Sequence, residues 1–479
     1  MTKAKKPRPD RNEKAPEASQ QTAPSLRRNA NRRSNDPHVA HEAPGRDPKR
    51  IPYPRNESAA RPAIAQEAGV GARISRRAAD RLRAGHVWVY ASDVESLNAG
   101  DGDAPALLPV ADSRGLLLGT ALYSPTSQIA LRMVSREAIG ETKWLDLLGR
   151  RLSDAIDRRV PELNSQEIES DSFRLCFSEA DEIPGLVVDK YGELVIVQLL
   201  AKGLDSAAVR GKVVETLRDR VKPASILERP DPRIRELEGL SAPAVAPLYA
   251  KDENNPVTST EFRLNGLTFH YDANAGQKTG AFLDQHANYK AAERWAWKLA
   301  PGGRALDVCT YQGGFALHLA RVSNRVTGID SSHASLQVAE KNLTANRDKL
   351  RSNVEVDWVA GDAFEVLRDW AAAREQFDTI VLDPPAFAKS KRAVEGALRG
   401  YKELNLRAMQ MLKPHGLLVT CSCSHHVSGA EFESVVTAAA ADAHRRVRLL
   451  ERRGAAPDHP VVLNIPETEY LKCLVLEVE

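Results

Sequence analysis

Several protein classes are excluded by what this sequence lacks. Aromatic residues make up only 5% of its 479 positions. Cysteine occurs 5 times, an odd number in a long chain, which argues against a disulfide framework and for a reducing compartment. No run of about 18 apolar residues is present, so no membrane span is expected. The N-terminus is rich in Lys, Arg and Pro and shows no apolar signal-peptide segment. Cytoplasm is the expected location. A strong excess of one charge is missing too, since 67 Lys and Arg face 64 Asp and Glu. The balance is uneven, however: residues 1–70 hold 15 Lys and Arg against 8 Asp and Glu, leaving the remainder slightly acidic.

The length suits roughly three domains, each able to bury its own core. Residues 1–72 are dominated by Pro, Arg, Asn, Ala and Ser and cannot bury enough apolar area to offset the entropy of ordering. They read as a disordered basic tail, either an electrostatic arm for RNA phosphates or a solubilising segment. Residues 73–136 read as a small β-rich domain, with apolar runs around Val87-Trp88-Val89-Tyr90, Leu116-Leu117-Leu118 and Ile129-Ala130-Leu131 separated by turn residues. A basic helix over Ser75 to Arg83 precedes them. Residues 137–255 read as a central α+β domain, with a helix through Leu145 to Val160 and strands near Phe173, Leu186 and Leu194. Within it, Glu228-Arg229-Pro230-Asp231 fits a substrate contact or a surface ion pair.

Residues 256–479 alternate strands and helices, the pattern of a doubly wound, mostly parallel α/β sheet. Ala305-Leu306-Asp307-Val308-Cys309 reads as its first strand and leads into Gly313-Gly314 at a helix start, where backbone can approach a ligand closely. A second strand ends at Asp330, placed for ribose hydroxyls, with Ser331 capping the next helix. A third ends before Asp362, an acid able to accept from an adenine amino group, with Phe364 beside it. Two short signatures follow the next two strands. Asp383-Pro384-Pro385-Ala386-Phe387 holds a carboxylate on a backbone stiffened by two prolines, suited to the N–H edge of a planar base, with Phe387 to stack on it. Thr420-Cys421-Ser422-Cys423-Ser424 follows a strand over Gly416 to Thr420, with a helix over Tyr401 to Leu412 between the two. A right-handed crossover brings Asp383 and Cys423 to one crevice. Arg446 to Glu451 and Tyr470 to Val478 read as an antiparallel edge.

Together these residues resemble the bacterial class I S-adenosylmethionine-dependent cytosine-C5 methyltransferases of large-subunit ribosomal RNA that carry an N-terminal PUA domain. The resemblance spans about residues 73–479. It rests on Ser124-Pro125-Thr126-Ser127-Gln128-Ile129, Gly276 to Gln285, Tyr311 to Ala316, Leu382 to Phe387, Arg399-Gly400-Tyr401-Lys402 and Ser422-Cys423-Ser424. It implies a Rossmann-like fold, ribosomal RNA as partner, and S-adenosylmethionine bound through Asp284, Gly313, Gly314, Asp330, Asp362 and Asp383, with Asp307 beside them. His286 departs from the family's usual Arg, Cys309-Thr310 from a Phe-Ser pair, and Cys421 is an additional cysteine.

Carbon 5 of cytosine is a poor nucleophile until a thiolate adds to carbon 6, and Cys423 is the candidate for that role, with Asp383 holding the base edge. Amino-group methylation of an RNA base, which needs no cysteine, is the enzymatic alternative. An RNA-binding protein without catalysis is the non-enzymatic one. A zinc site on Cys421, Cys423, His425 and His426 has unfavourable spacing, so no metal is expected. The target nucleotide, the base that takes the C5 proton and the oligomeric state, a homodimer included, stay open.

Overall fold

The computed structural model describes residues 71–479 apart from 101–105, 164–168, 230, 242–245 and 275–280. The N-terminal tail and the 276–280 part of the motif before the α/β unit lie outside the described residues. Ser75 caps the helix Arg76–Arg83 by accepting from the Ala78 N–H at 3.3 Å, and Ala78, Ala79 and Leu82 turn inward. Two of its arginines are engaged internally, Arg81 with Asp93 at 2.7 Å and Arg83 with Asp112 at 2.6 Å. This helix packs on a six-stranded sheet in the spatial order Trp88–Tyr90, Ile129–Ser135, Leu117–Tyr123, Leu107–Asp112, Gly71–Ile74, Val94–Asn98.

A five-stranded sheet comes next, and the helix Glu141–Leu163 buries Trp144, Leu148, Leu152 and Ile156 against it. Their spacing of four is one helical face. The strand Ser225–Glu228 lies inside this sheet, so Glu228 is an internal charge rather than half of a surface ion pair: Arg210 holds it at 2.6 Å and Arg235 at 3.5 Å.

The seven strands of the third sheet are β1 (Arg304–Val308), β2 (Arg325–Asp330), β3 (Glu355–Ala360), β4 (Phe377–Leu382), β5 (Leu412–Ser422), β6 (Val447–Arg453) and β7 (Lys472–Val478). They lie in the order β3-β2-β1-β4-β5-β7-β6, with β1 to β5 parallel and β7 antiparallel to both neighbours. The helices α1 (Gly314–Leu319), α2 (His333–Ala345), α3 (Ala363–Ala372), α4 (Val394–Met411) and α5 (Gly429–Asp442) cover it. One apolar layer contains Phe315, Val381, Val419 and Cys421, and the other Leu306, Ile380, Tyr401 and Phe432. Both faces of the central strands are thus covered, which is why they read as unbroken apolar runs. The strand order reverses between β1 and β4, and a crevice opens beyond the carboxyl ends there.

Three local boundaries differ from the sequence reading. Helix α4 begins at Val394 rather than Tyr401. Gly400 sits inside it, where a Cβ would stand 3.3 Å from the Phe387 ring, so the glycine permits close packing. Strand β5 runs from Leu412 to Ser422, longer at both ends than the Gly416 to Thr420 read from the sequence. Ser332, not Ser331, caps α2, because the Asp330 carboxylate first accepts the Ser332 N–H at 2.9 Å and shifts the helix start by one residue. Among the described residues no helix is long and apolar enough to cross a membrane.

Candidate active site

The loop between β1 and α1 departs from the usual backbone regions. Cys309, Tyr311 and Gly313 have φ of 63°, 53° and 85°, and such conformations persist only where the surroundings fix them. Here they are fixed on all sides. Asp307, fully buried at the end of β1, accepts from the Thr310 hydroxyl at 2.6 Å and the Ala316 N–H at 2.9 Å. Burial pushes its carboxyl up to about 7 against the opposing pull of those two hydrogen bonds. Asp330 accepts from the Tyr311 N–H at 2.9 Å, and Asn342 donates to the Gln312 carbonyl at 2.9 Å. Gly314 is required by packing, since a Cβ there would lie 2.6 Å from the Tyr289 ring.

A narrow crevice opens at this loop, lined by Phe282, Cys309, Tyr311, Gln312, Gly314 and Asp383 among others. The Gln312 Oε1 is buried without a hydrogen-bond partner, an acceptor left for a ligand's donor. Asp362 is exposed and caps α3, accepting from the Phe364 and Glu365 N–H groups at 2.9 and 3.2 Å. Asp284 sits on a short 3-10 turn and accepts from the Tyr470 hydroxyl at 2.5 Å.

Strand register aligns the two signature loops. Leu382 pairs with Thr420, so Asp383, the first residue past β4, comes level with Cys421. Cys421 is still within β5, fully buried against Cys473, whereas Cys423 lies one residue past the strand end and is partly exposed. The Cys423 S–H donates to the Pro384 carbonyl at 3.8 Å. The loops are also stitched by Ser424, whose hydroxyl oxygen accepts from the Ala388 N–H at 3.1 Å and lies 2.9 Å from the Tyr401 hydroxyl. Phe387 packs on Tyr401 and Phe364 with centroid separations of 4.8 and 5.8 Å. His425 is exposed and stacks on Tyr470 at 5.4 Å.

Residues 72–136 match the PUA-like domain family and residues 246–475 the S-adenosylmethionine-dependent methyltransferase family. The chain is 36% identical over 405 residues to the ribosomal RNA large subunit methyltransferase I of Pseudoalteromonas translucida, covering 83% of this chain and 96% of that protein. To its counterpart from Tolumonas auensis it is 35% identical over 393 residues, covering 82% and 95%. This chain belongs to the ribosomal RNA large subunit methyltransferase I family. Among solved structures, SMU.776 complexed with SAH superposes with a TM-score of 0.71 at 18% identity, covering 85% of this chain and 100% of that one. A Streptococcus mutans structure gives 0.70 at 18% identity, with 85% and 100% covered. Both likenesses speak for the fold alone.

Within this S-adenosylmethionine-dependent family fold, the structure gathers Asp307, Gly313, Gly314 and Asp330 around one loop, and Asp383 and Cys423 around the adjoining strand ends. Asp362 stands at the next strand end, where the Gly361 N–H donates to the Asp330 carbonyl at 3.1 Å. Asp284, on a separate segment, meets Tyr470, which stacks in turn on His425. His286, which departs from the family's usual Arg, is buried 3.5 Å from Asp458. Sequence reasoning assigned no role to Tyr401, Ser424 or Lys472. The first two stand inside quoted motifs, and their hydroxyls were the available signal. Lys472 carried none, being 48 residues from the Ser424 carbonyl to which its ammonium donates.

Proposed function

We propose that this protein forms 5-methylcytosine in large-subunit ribosomal RNA, with Cys423 as the nucleophile. The observation that carries the reading is the placement of Cys423 just beyond β5, its S–H on the Pro384 carbonyl of the Asp-Pro-Pro loop. A thiol there meets a base held by that loop, while Cys421 stays in the core. The relatives named above as ribosomal RNA methyltransferases support the substrate class, and the PUA-like domain is the expected RNA-contacting partner of the catalytic unit.

The residues at the crevice fit S-adenosylmethionine: Gln312 offers an unpartnered acceptor, Asp330 holds the same loop, and the glycine pair lets that loop pack closely on Trp358 and Tyr289. Gly313, Gly314, Asp330 and Asp362 would hold the cofactor, with Asp383 and Asp284 at its margins. Asp307 acts through the loop, fixing Thr310 and Ala316 from beneath. When bound, the cofactor supplies an electrophilic methyl group.

The chain's own residues do the rest. The Cys423 thiolate uses its lone pair to bond carbon 6 of the cytosine, and the carbon 5–carbon 6 π pair shifts to carbon 5, which becomes nucleophilic. Asp383 accepts from the base edge and stabilises the ring as it gains a proton at N3. After methylation, loss of the carbon 5 proton leaves its C–H bonding pair to re-form the carbon 5–carbon 6 double bond as the thiolate departs from carbon 6. Pro384 and Pro385 keep the carboxylate in place. Nucleoside analysis of ribosomal RNA from cells with and without the protein tests the product: 5-methylcytosine is expected to disappear. Loss of an N-methylated base instead would establish the amino-group alternative, and no change would leave an RNA-binding role.

A further inference from the structure

We propose that Lys472 is a positioning residue that favours the thiolate form of Cys423, its ammonium being fixed on the backbone just after that residue by the carbonyls of Ser424 and Tyr470. The inference rests on the assignment of Cys423 as nucleophile. Lys472 opens β7 and pairs in register with Ser422, the residue before Cys423. Its Nζ donates to the Ser424 carbonyl at 2.7 Å and to the Tyr470 carbonyl at 2.8 Å. A surface lysine normally extends its ammonium into water. This one is half-buried and folded back onto the backbone immediately after the thiol.

Both hydrogen-bond acceptors are neutral, so a developing thiolate is the nearby anion that this cation is placed to serve. A cationic neighbour of this kind lowers a thiol's pKa from about 8.5. The other charged or titratable groups bearing on the pair are Glu469 before β7, Glu431 at the start of α5, His425 and Tyr401 on the flanks, and Asp383 on the facing loop. Burial pulls Lys472 down to about 8, with Cys423, Glu469 and Glu431 pulling in the opposite direction. The ammonium therefore carries its charge below about pH 8 and loses it above. On ionisation the thiol proton leaves the Pro384 carbonyl for solvent while the ammonium keeps its own. The same sulfur lone pair then forms the bond to carbon 6.

The test is the pH profile of Cys423 alkylation by iodoacetamide, followed by peptide mass spectrometry on the full-length protein without RNA. Wild type is expected to titrate below the ~8.5 of a free cysteine. Lys472→Arg should keep a low midpoint, and Lys472→Gln should raise it by about one unit, a tenfold loss of thiolate well below the midpoint. Superimposable wild-type and Lys472→Gln profiles would overturn the proposal, as would slower alkylation with an unchanged midpoint. If Lys472→Gln does not fold, a wild-type midpoint at or above that of a free cysteine peptide overturns it without any variant. Alkylation needs no turnover, so failure of the nucleophile assignment would show separately, as absence of an RNA adduct on Cys423.

Discussion

Gly314→Ala tests the cofactor loop with a single methyl group. The added Cβ would lie 2.6 Å from both Cζ and Oη of Tyr289 and 3.0 Å from its Cε1. The tyrosine ring has little room to yield: it is 5% exposed and packs on Phe315 at 4.7 Å and His318 at 5.1 Å. Overpacking of this kind costs about 1–3 kcal/mol. The cheaper relief is an outward shift of the loop, which would displace Gly313, itself dependent on a φ of 85°. If the whole cost falls on the conformation that binds cofactor, affinity falls by about 5–150-fold. Isothermal titration calorimetry with S-adenosylmethionine reads that loss, and thermal unfolding measured alongside reads the stability change. A lowered melting temperature with unchanged affinity would refute the loop as cofactor site, and no change in either would refute the packing argument.

Asp307→Asn tests the buried carboxyl beneath the same loop. Its folded-state pKa is raised from 3.8 to about 7, so its contribution to stability is fully present below the unfolded value and is lost as pH rises through about 7. The amide should therefore gain stability relative to wild type between pH 5 and pH 8, and melting curves that keep a constant separation would contradict this. Cys421→Ala should retain most methylation activity while losing packing against Cys473; abolished activity in a folded variant would transfer the nucleophile role to it. Deleting residues 1–70 is expected to leave single-turnover chemistry intact but to weaken RNA binding with a shallower salt dependence, because the segment supplies cations for phosphates. Equal salt slopes would remove that role.

Much of the α/β unit was legible because its strands are short apolar runs ending in acids or signature residues, and the acids at 307, 330, 362 and 383 fall at successive strand ends. What stayed hidden depends on contacts between distant segments. Asp284 and Tyr470 meet across 186 positions, and no local pattern announces the pair. Asp307 and Asp330 look alike in sequence, yet one is sealed beneath the loop and the other only partly buried at its edge. Asp362, read as an adenine acceptor, has one oxygen engaged in capping a helix, because an acid before a helix serves both ends equally well. The positive φ of Cys309 and Tyr311 is invisible at residues that carry a Cβ, since only glycine advertises that conformation. The role of Gly400 is equally hidden, since it lies in close packing on Phe387 and not in any local pattern.

The central claim is that Cys423 bonds to carbon 6 of a target cytosine, and trapping that bond is its most direct test. Ribosomal RNA carrying 5-fluorocytosine at the target lets thiolate addition and methyl transfer proceed, but the fluorine cannot leave as a proton does. With S-adenosylmethionine present, a covalent protein–RNA complex should accumulate, and mass spectrometry of the digested complex should place the nucleotide on Cys423, with no complex formed by Cys423→Ala. A nucleotide found on Cys421, or methylated RNA produced by Cys423→Ala, would contradict the account.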